Sequence, residues 1–418
     1  ALTRIAQKTI NSLAPPPDVN VSDWADKHRR LSPEASAEAG AWSTDRAEYQ
    51  RGIMDAISDD KIENIVVMSC AQIGKTEMLL NLIGYHIAEQ PAPILVVMPT
   101  LDMAATFSRD RLSPMLRDTK CLSSKVKDPR SRDSGNTLYT KQFDGGHITL
   151  VGSNSASGLA SRPIRLVLFD EVDRYQVTTE GDAIDLARKR AATFWNRKFV
   201  MVSTPTNRGS SRIEAAFENS DKREYHVECA DCGEHQVMQW ANVHWEADRP
   251  ETAVYHCEHC GTLWDDAARQ RAIKRGKWIA TNPLVGVAGF RLSGLCSPWI
   301  PLEEAVRDFL QAKKLPETLR VWVNTYLGET WEDQGERIDD FDIATHRENY
   351  GDKIPEQVVF LTAGIDVQDD RLEMEVLGFA RDEETFSIEF RTFYGDPSAS
   401  NVWSCLLYTS DAADDVIS

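Results

Sequence analysis

Lys61 to Thr76 reads KIENIVVMSCAQIGKT. Ile65-Val66-Val67-Met68 is an apolar run long enough for one fully buried strand. It breaks into the small-residue stretch Ser69-Cys70-Ala71-Gln72-Ile73-Gly74-Lys75-Thr76, after which Met78, Leu79, Leu82, Ile83 and Ile87 recur at helical spacing. Strand, small-residue loop, Gly-Lys-Thr and helix predict a phosphate-binding loop. Loop amides and the helix N-terminus present partial positive charge to an anion, and Lys75 adds a full one. Thr76 is placed to offer its hydroxyl to Mg²⁺, and Ser69, Gln72 and Gly74 to line the nucleotide phosphates. The pattern G-x-x-x-x-G-K-[ST] asks for Gly where this chain has Ser69. The bland alternative is an ordinary buried strand followed by a helix.

At 418 residues the chain is too long for one core, and two or three domains are expected. No run approaches 18 uninterrupted apolar residues, so no membrane span is expected. The N-terminal ALTRIAQKTINSLAPPPDVN lacks the apolar core of a secretion signal. A net charge of −18 argues mildly against a nucleic-acid partner, but binding needs local basic patches and not a basic total. Two patches are visible: Lys125, Lys127, Arg130 and Arg132, and Arg188, Lys189, Arg190, Arg197 and Lys198. Solvated charge on helices and loops is the competing reading of each.

Val21 to Arg30 is predicted helical, with Ser22 as N-cap. A second amphipathic helix before the first strand carries Tyr49-Gln50, an aromatic-Gln pair placed to read an adenine edge. Pro93 to Thr100 predicts a second buried strand and Thr100 to Met115 a helix. Gly145 to Val151 predicts a third strand. The alternation implies parallel strands joined by right-handed crossovers. Arg165-Leu166-Val167-Leu168-Phe169 then ends in Asp170-Glu171. In nucleotide hydrolysis an acid at a strand end holds Mg²⁺ through water, and the next polarises the attacking water. Paired with Gly-Lys-Thr, this predicts ATP hydrolysis with Mg²⁺. Phe199 to Val202 predicts a fifth strand, running into Ser203-Thr204-Pro205-Thr206, where hydroxyls sense the γ-phosphate. Arg162 is a candidate cation on the transferring phosphoryl group, against the alternative of a remote surface arginine.

Cys229-Ala-Asp-Cys232 and Cys257-Glu-His-Cys260, each followed by Gly, predict a four-thiolate Zn²⁺ ribbon that is structural, with no open position. A ribbon this small has little core, so the metal is expected to be needed for it to fold. Lys277 to Trp331 is expected to bridge domains, with a helix over Glu317 to Leu327. Val358 to Asp366, Leu372 to Phe379 and Thr385 to Phe393 predict a new sheet. An Asp in a first strand followed by two antiparallel strands resembles the opening of an RNase H-like nuclease, with Asp366 as a ligand of the metals that activate water.

QIGKTE, VVMPT, LVLFDEVD, STPT, the double CxxC, GKWIATNP, GFRLSGL-SPW, NTYLGETWED and AGIDVQDDRLEMEVLGF occur in that order from Trp24 to Trp403. Together they resemble the large terminase subunit of tailed bacteriophages, in its GpA-like branch. The resemblance implies a motor that packages double-stranded DNA into a preformed capsid, joined to a nuclease that cuts concatemers. It implies Lys75 and Thr76 on phosphate and Mg²⁺, Asp170 on Mg²⁺, Glu171 on water and Asp366 on the nuclease metals. It also implies a small terminase subunit and a portal protein as partners, self-assembly on the portal, and a place in the bacterial host cytoplasm.

The expected architecture is α/β: an arm (1–48), a P-loop ATPase domain of the ASCE/RecA-like kind (49–220), a four-cysteine zinc ribbon (221–282), a bridging helical segment (283–357) and the start of an RNase H-like domain (358–404). The tail 405–418 departs from the family's pattern, so an incomplete nuclease is expected. Two alternatives are a helicase-like translocase outside packaging and a zinc-ribbon DNA-binding protein with a vestigial ATPase.

Overall fold

The computed structural model describes residues 19–126, 136–155, 163–177, 181–332, 354–381 and 384–406. They fall into two units, Ala1–Asp333 and Gln334–Ser418, each with its own sheet.

The strands of the first unit follow from its apolar runs. Beyond a two-residue antiparallel pair, Arg30–Leu31 with Gly40–Ala41, they are β1 (Asn64–Ser69), β2 (Ile94–Met98), β3 (Thr140–Phe143), β4 (Gly146–Gly152), β5 (Leu166–Asp170) and β6 (Lys198–Ser203). After these come β7 (Arg223–Glu228), β8 (His235–Val237), β9 (Val243–Glu246), β10 (Arg249–His256), β11 (Leu263–Trp264), β12 (Lys277–Ala280) and β13 (Val287–Leu292). One sheet has the order β8-β7-β13-β1-β6-β5-β2-β4-β3, with β12 also on β7. From β13 to β4 neighbouring strands are parallel; β3, β8 and β12 join antiparallel. β2, β5 and β6 are buried at every residue, which is why their sequences are continuous apolar runs and not alternating ones. β6 separates the loop-bearing β1 from the acid-bearing β5, so the ends of all three strands open on one crevice.

The helices that position the site are α1 (Val21–His28), α2 (Tyr49–Asp55), α3 (Lys75–Ala88), α4 (Leu101–Phe107), α5 (Ala183–Arg190), α6 (Asp266–Lys274), α7 (Leu302–Ala312) and α8 (Pro316–Trp322). α3 is buried almost all round. Gly84 lies where a Cβ would run into the fully buried Trp24 of α1, so the close approach of these helices requires glycine there. No described helix is long and apolar enough to cross a membrane.

Buried His86 on α3 is tied by Nδ1 to Leu82 O at 2.8 Å, and burial pushes its pKa down to about 4 from 6.5. Between those values the unfolded chain takes up a proton that the native chain refuses. Stability from this residue is therefore full above pH 6.5 and falls as pH drops through the window. We expect a loss of about 2 kcal/mol by pH 5. Thermal melting at pH 7.5 and 5 checks this, and a His86→Gln variant should lose less between the two; an equal loss would assign the acid sensitivity elsewhere.

Three sequence expectations meet a different structure. Ser22 does not cap α1: Asn20 is at the N-cap, and Ser22 instead gives its amide and hydroxyl to the Asp55 carboxylate at 3.0 and 2.8 Å. A carboxylate on the facing helix is the stronger acceptor. The stretch expected to bridge domains includes β13, which inserts parallel beside β1. Gly289 within it packs where a Cβ would meet Ser220, so the run lacks the continuous bulky pattern of the other strands. The helix expected over Glu317 to Leu327 forms as α8 followed by a π-turn, Val323–Leu327.

The second basic patch is divided: Lys198 is buried, Arg188, Arg190 and Arg197 are half-buried and Lys189 is exposed. Arg188 bonds Asn64 and lies 4.8 Å from the Phe199 ring centroid, Arg197 pairs with Glu63 at 2.9 Å, and buried Lys198 donates to Asp59 O and Ile62 O. Of the first patch, Lys125 donates to Ala88 O, while Lys127, Arg130 and Arg132 lie outside the described residues.

The second unit holds β14 (Phe360–Val367), β15 (Arg371–Phe379) and β16 (Thr385–Tyr394) in an antiparallel meander. Residues 405 and 406 of the tail end a short helical turn, and 407–418 lie outside the described residues.

Candidate nucleotide and metal sites

The loop after β1 is held from outside its own strand and helix. Cys70 N donates to Leu292 O at the end of β13 (3.0 Å), and Ala71 N to Thr325 O in the π-turn (2.7 Å). Gln72 and Gly74 both take left-handed conformations, with φ of 59° and 84°. At Gly74 a Cβ would run into Gln50 Nε2, so glycine is required by backbone angle and by space. Ser69 is buried and turns its hydroxyl to Cys70 O at 3.4 Å, where it does not obstruct the loop. Lys75 opens α3, is nearly buried, donates to Cys70 O at 3.0 Å and lies 3.5 Å from Glu171 Oε1. A buried ammonium so placed, with a 14-residue helix behind it, makes a strong anion site.

Asp170 closes β5 and Glu171 follows in a left-handed conformation, φ 53°, with its amide on Val202 O at 2.8 Å. That conformation turns Glu171 back toward Lys75 and toward Thr204, whose hydroxyl donates to Glu171 Oε2 at 3.1 Å. Ser203 works within the backbone: its hydroxyl donates to Thr204 O at 2.8 Å and accepts from Asp173 N at 3.3 Å. Burial pushes the Asp170 pKa up to about 7, with Glu171 adding to the rise and Lys75 opposing it. A carboxylate so hard to ionise alone favours any cation that reaches it. Thr76, Asp170 and Glu171 share a cavity of about 440 Å³ with Asp102, Arg111 and Arg174. Arg174 Nε is 3.9 Å from Glu171 Oε2. Arg111 was placed from the sequence only as a residue of the helix expected over Thr100 to Met115, and Arg174 was not singled out although it follows Glu171 by three residues. Arg162 lies outside the described residues.

Tyr49 and Gln50 both reach the loop, from α2. Tyr49 Oη and Gln50 Nε2 donate to Ile73 O at 3.3 and 2.8 Å. Tyr49 is fully buried, with its ring edge-on to Tyr225, and burial raises its pKa well above the ordinary range. It braces the loop from behind, whereas Gln50 reaches the wall of a second cavity beside Gln72 and Gly74.

Elsewhere in the same unit the sulfurs of Cys229, Cys232, Cys257 and Cys260 all lie within 4.8 Å of one another. Cys229–Cys260 and Cys232–Cys257 are 3.8 and 3.9 Å apart. Thiolates on a tetrahedral ion with ~2.3 Å arms stand about 3.8 Å apart, so the four fit one metal ion. Gln236 Nε2 donates to Cys257 Sγ at 3.3 Å. His256 and His259 are not in this group.

In the second unit, Asp366 on β14 is paired in register with Glu373 on β15, and its carboxylate accepts from Gln368. Residues directly opposite in an antiparallel pair share a face. Glu373 also takes an ion pair from Arg371 at 2.7 Å. The cluster of acids in Asp366-Val-Gln-Asp-Asp-Arg-Leu-Glu373 was the available signal, and which of them share a face becomes readable only once the turn fixes the register.

The first unit is thus an α/β domain in which an anion-accepting loop faces a pair of carboxylates across a crevice. Residues 36–278 match the family described as phage terminase large subunit gpA, ATPase domain, and residues 287–412 match the terminase large subunit gpA endonuclease domain. This chain belongs to the phage terminase large subunit gpA family. The large terminase subunit of Enterobacteria phage P21 is 30% identical over 423 residues, covering 94% of this chain and 65% of that protein. That of Escherichia phage lambda is 30% identical over 426 residues, covering 94% and 66%. This chain therefore spans about two-thirds of the length of these relatives. The crystal structure of the HK97 bacteriophage large terminase aligns over 91% of this chain and 68% of its own, at 11% identity and a TM-score of 0.46. The endonuclease match begins at β13, a strand that belongs to the first unit's sheet.

Proposed function

We propose that this chain is the ATP-driven DNA-packaging motor of a phage terminase, joined to a metal-dependent endonuclease region. The observation that carries the reading is the placing of Lys75 and Thr76 opposite Asp170 and Glu171, with Thr204 on the Glu171 carboxylate. In an ASCE/RecA-like P-loop ATPase, Lys75 and the loop Ser69–Gly74 hold the phosphates, and Thr76 and Asp170 take Mg²⁺. Glu171 orients the attacking water, and Ser203 and Thr204 report the γ-phosphate to the rest of the motor. Arg162 is assigned to the transferring phosphoryl group, in its own subunit or a neighbour's. Tyr49 and Gln50 are assigned to reading the adenine edge.

The four cysteines take a structural Zn²⁺, and sulfur spacing supports this. Asp366 is assigned to the nuclease metals of an RNase H-like site, with Glu373 on the same face. The partners that fit this role are double-stranded DNA, a small terminase subunit, the portal protein and further copies of this chain, in the cytoplasm of the bacterial host.

The test is ATP hydrolysis in Mg²⁺, with and without double-stranded DNA, followed beside plasmid cleavage in Mg²⁺ or Mn²⁺. Hydrolysis is expected, faster with DNA, and lost in Lys75→Ala. Asp366→Ala is expected to leave it intact while removing any cleavage. Hydrolysis that persists in Lys75→Ala would overturn the motor assignment, and cleavage that persists in Asp366→Ala would take that residue out of the nuclease site.

A further inference from the structure

A cavity of about 540 Å³ lies against the loop at Gln72 and Gly74, and its wall also includes Gln50, Trp299, Arg46 and Glu38. Trp299 lies in the turn before α7, and that turn is pinned. Arg269, buried on α6, donates to Leu295 O and Ile300 O at 2.6 and 2.8 Å, and Trp299 N donates to Ser297 Oγ at 3.2 Å. Trp299 is still 38% exposed, so a large aromatic residue is fixed in place and left partly open. Its Cη2 edge comes 3.9 Å from the position of a Cβ on Gly74, which puts it against the phosphate loop. The Arg46 guanidinium stands 5.7 Å from the indole centroid, gripped by the Glu38 carboxylate at 2.8 to 3.2 Å. A face that already receives a planar cation is suited to planar, polarisable rings.

Gln50 supplies an independent observation. It is 1% exposed, its Nε2 is committed to Ile73 O, and its Oε1 has no hydrogen-bond partner among the described residues. A buried amide oxygen without a donor is costly, so a ligand that brings one is favoured. The exocyclic amino group of adenine is such a donor, whereas guanine presents a carbonyl oxygen at the same position.

Resting on the ATPase reading above, in which Gln50 faces the adenine edge, we propose that Trp299 is the platform on which the nucleotide base stacks. The base is then held by a segment lying beyond the ribbon in sequence, while the phosphates are held by the loop.

The experiment measures ATP and GTP dissociation constants by calorimetry, and inhibition of hydrolysis by inorganic tripolyphosphate, in the wild-type chain, Trp299→Ala and Trp299→Phe. ATP binding is expected to weaken about tenfold in Trp299→Ala and to return to within about twofold in Trp299→Phe. Tripolyphosphate, which has no base, should inhibit both variants as it does the wild type. GTP should bind the wild type at least about tenfold more weakly than ATP. Unchanged ATP affinity in Trp299→Ala overturns the proposal, as does an equal loss of ATP and tripolyphosphate, which would make Trp299 a support of the loop. Equal ATP and GTP affinities overturn the assignment of Gln50 to the adenine edge. A wild-type chain that binds tripolyphosphate but neither nucleotide defeats the platform alone; one that binds none of the three defeats the ATPase reading with it.

Discussion

Glu171→Gln is expected to lower ATP hydrolysis by about 10²–10⁴-fold, the range associated with a positioned general base, while leaving ATP binding in place. The geometry separates the two effects. Glu171 contacts Thr204 and the Lys75 ammonium, and its backbone is fixed by Val202 O, so an isosteric amide keeps the fold of the turn. What the amide cannot do is take a proton from water. Lys75→Ala removes instead a buried cation from the loop, and is expected to abolish ATP binding and hydrolysis together. Single-turnover hydrolysis measured beside calorimetric ATP binding distinguishes them: slow turnover with tight binding for Glu171→Gln, loss of both for Lys75→Ala. Full ATPase activity in both variants would sink the site assignment and restore the view of a vestigial nucleotide fold.

The reason this much could be read from sequence is that phosphate loops and acid-ended strands are local. Ile65 to Thr76 states strand, turn and helix within one stretch, and Leu166 to Glu171 does the same for the acids. Each is also a fully buried strand, whose unbroken apolar run cannot be satisfied at a surface. The four cysteines were legible for a similar reason, since CxxC brings two sulfurs together without help from the fold. What escaped the sequence is whatever depends on distant partners. Leu292 O and Thr325 O hold the loop amides, yet a carbonyl leaves no mark in the residue type. β13 was hidden because its glycine and its Ser- and Pro-containing surroundings look like a linker until β1 lies beside them. The basic cluster at Arg188 to Lys198 shows the same dependence: Arg188, Arg197 and Lys198 are paired with Asn64, Glu63 and backbone carbonyls, while Lys189 stays exposed.

Those distant contacts give the second large effect, on the ribbon. With Zn²⁺ proposed at the four cysteines, stripping it, or Cys257→Ser, is expected to unfold the ribbon, because the two cysteine turns at the ends of its short strands would be joined through that ion. The consequence should travel to the nucleotide. Trp240, between β8 and β9, meets Trp322 of α8 with ring centroids 4.7 Å apart and Phe309 of α7 at 5.2 Å. Trp322 stacks in turn on Tyr326 at 5.2 Å, within the π-turn whose Thr325 carbonyl receives the amide of Ala71. An unfolded ribbon uncovers one side of this aromatic cluster and loosens the turn, weakening one of the two bonds that hold the loop from outside. One backbone hydrogen bond is worth about 1 kcal/mol net, so the KM for ATP should rise about fivefold. Metal content, thermal melting and KM measured on the same preparations, before and after chelation and after zinc is restored with Mg²⁺ in excess throughout, check each step. A Cys257→Ser chain with wild-type metal content and melting would remove the metal assignment. A lost ribbon transition with an unchanged KM would leave the metal in place and break the link to the loop, since the aromatic cluster would then hold the π-turn without the ribbon's help.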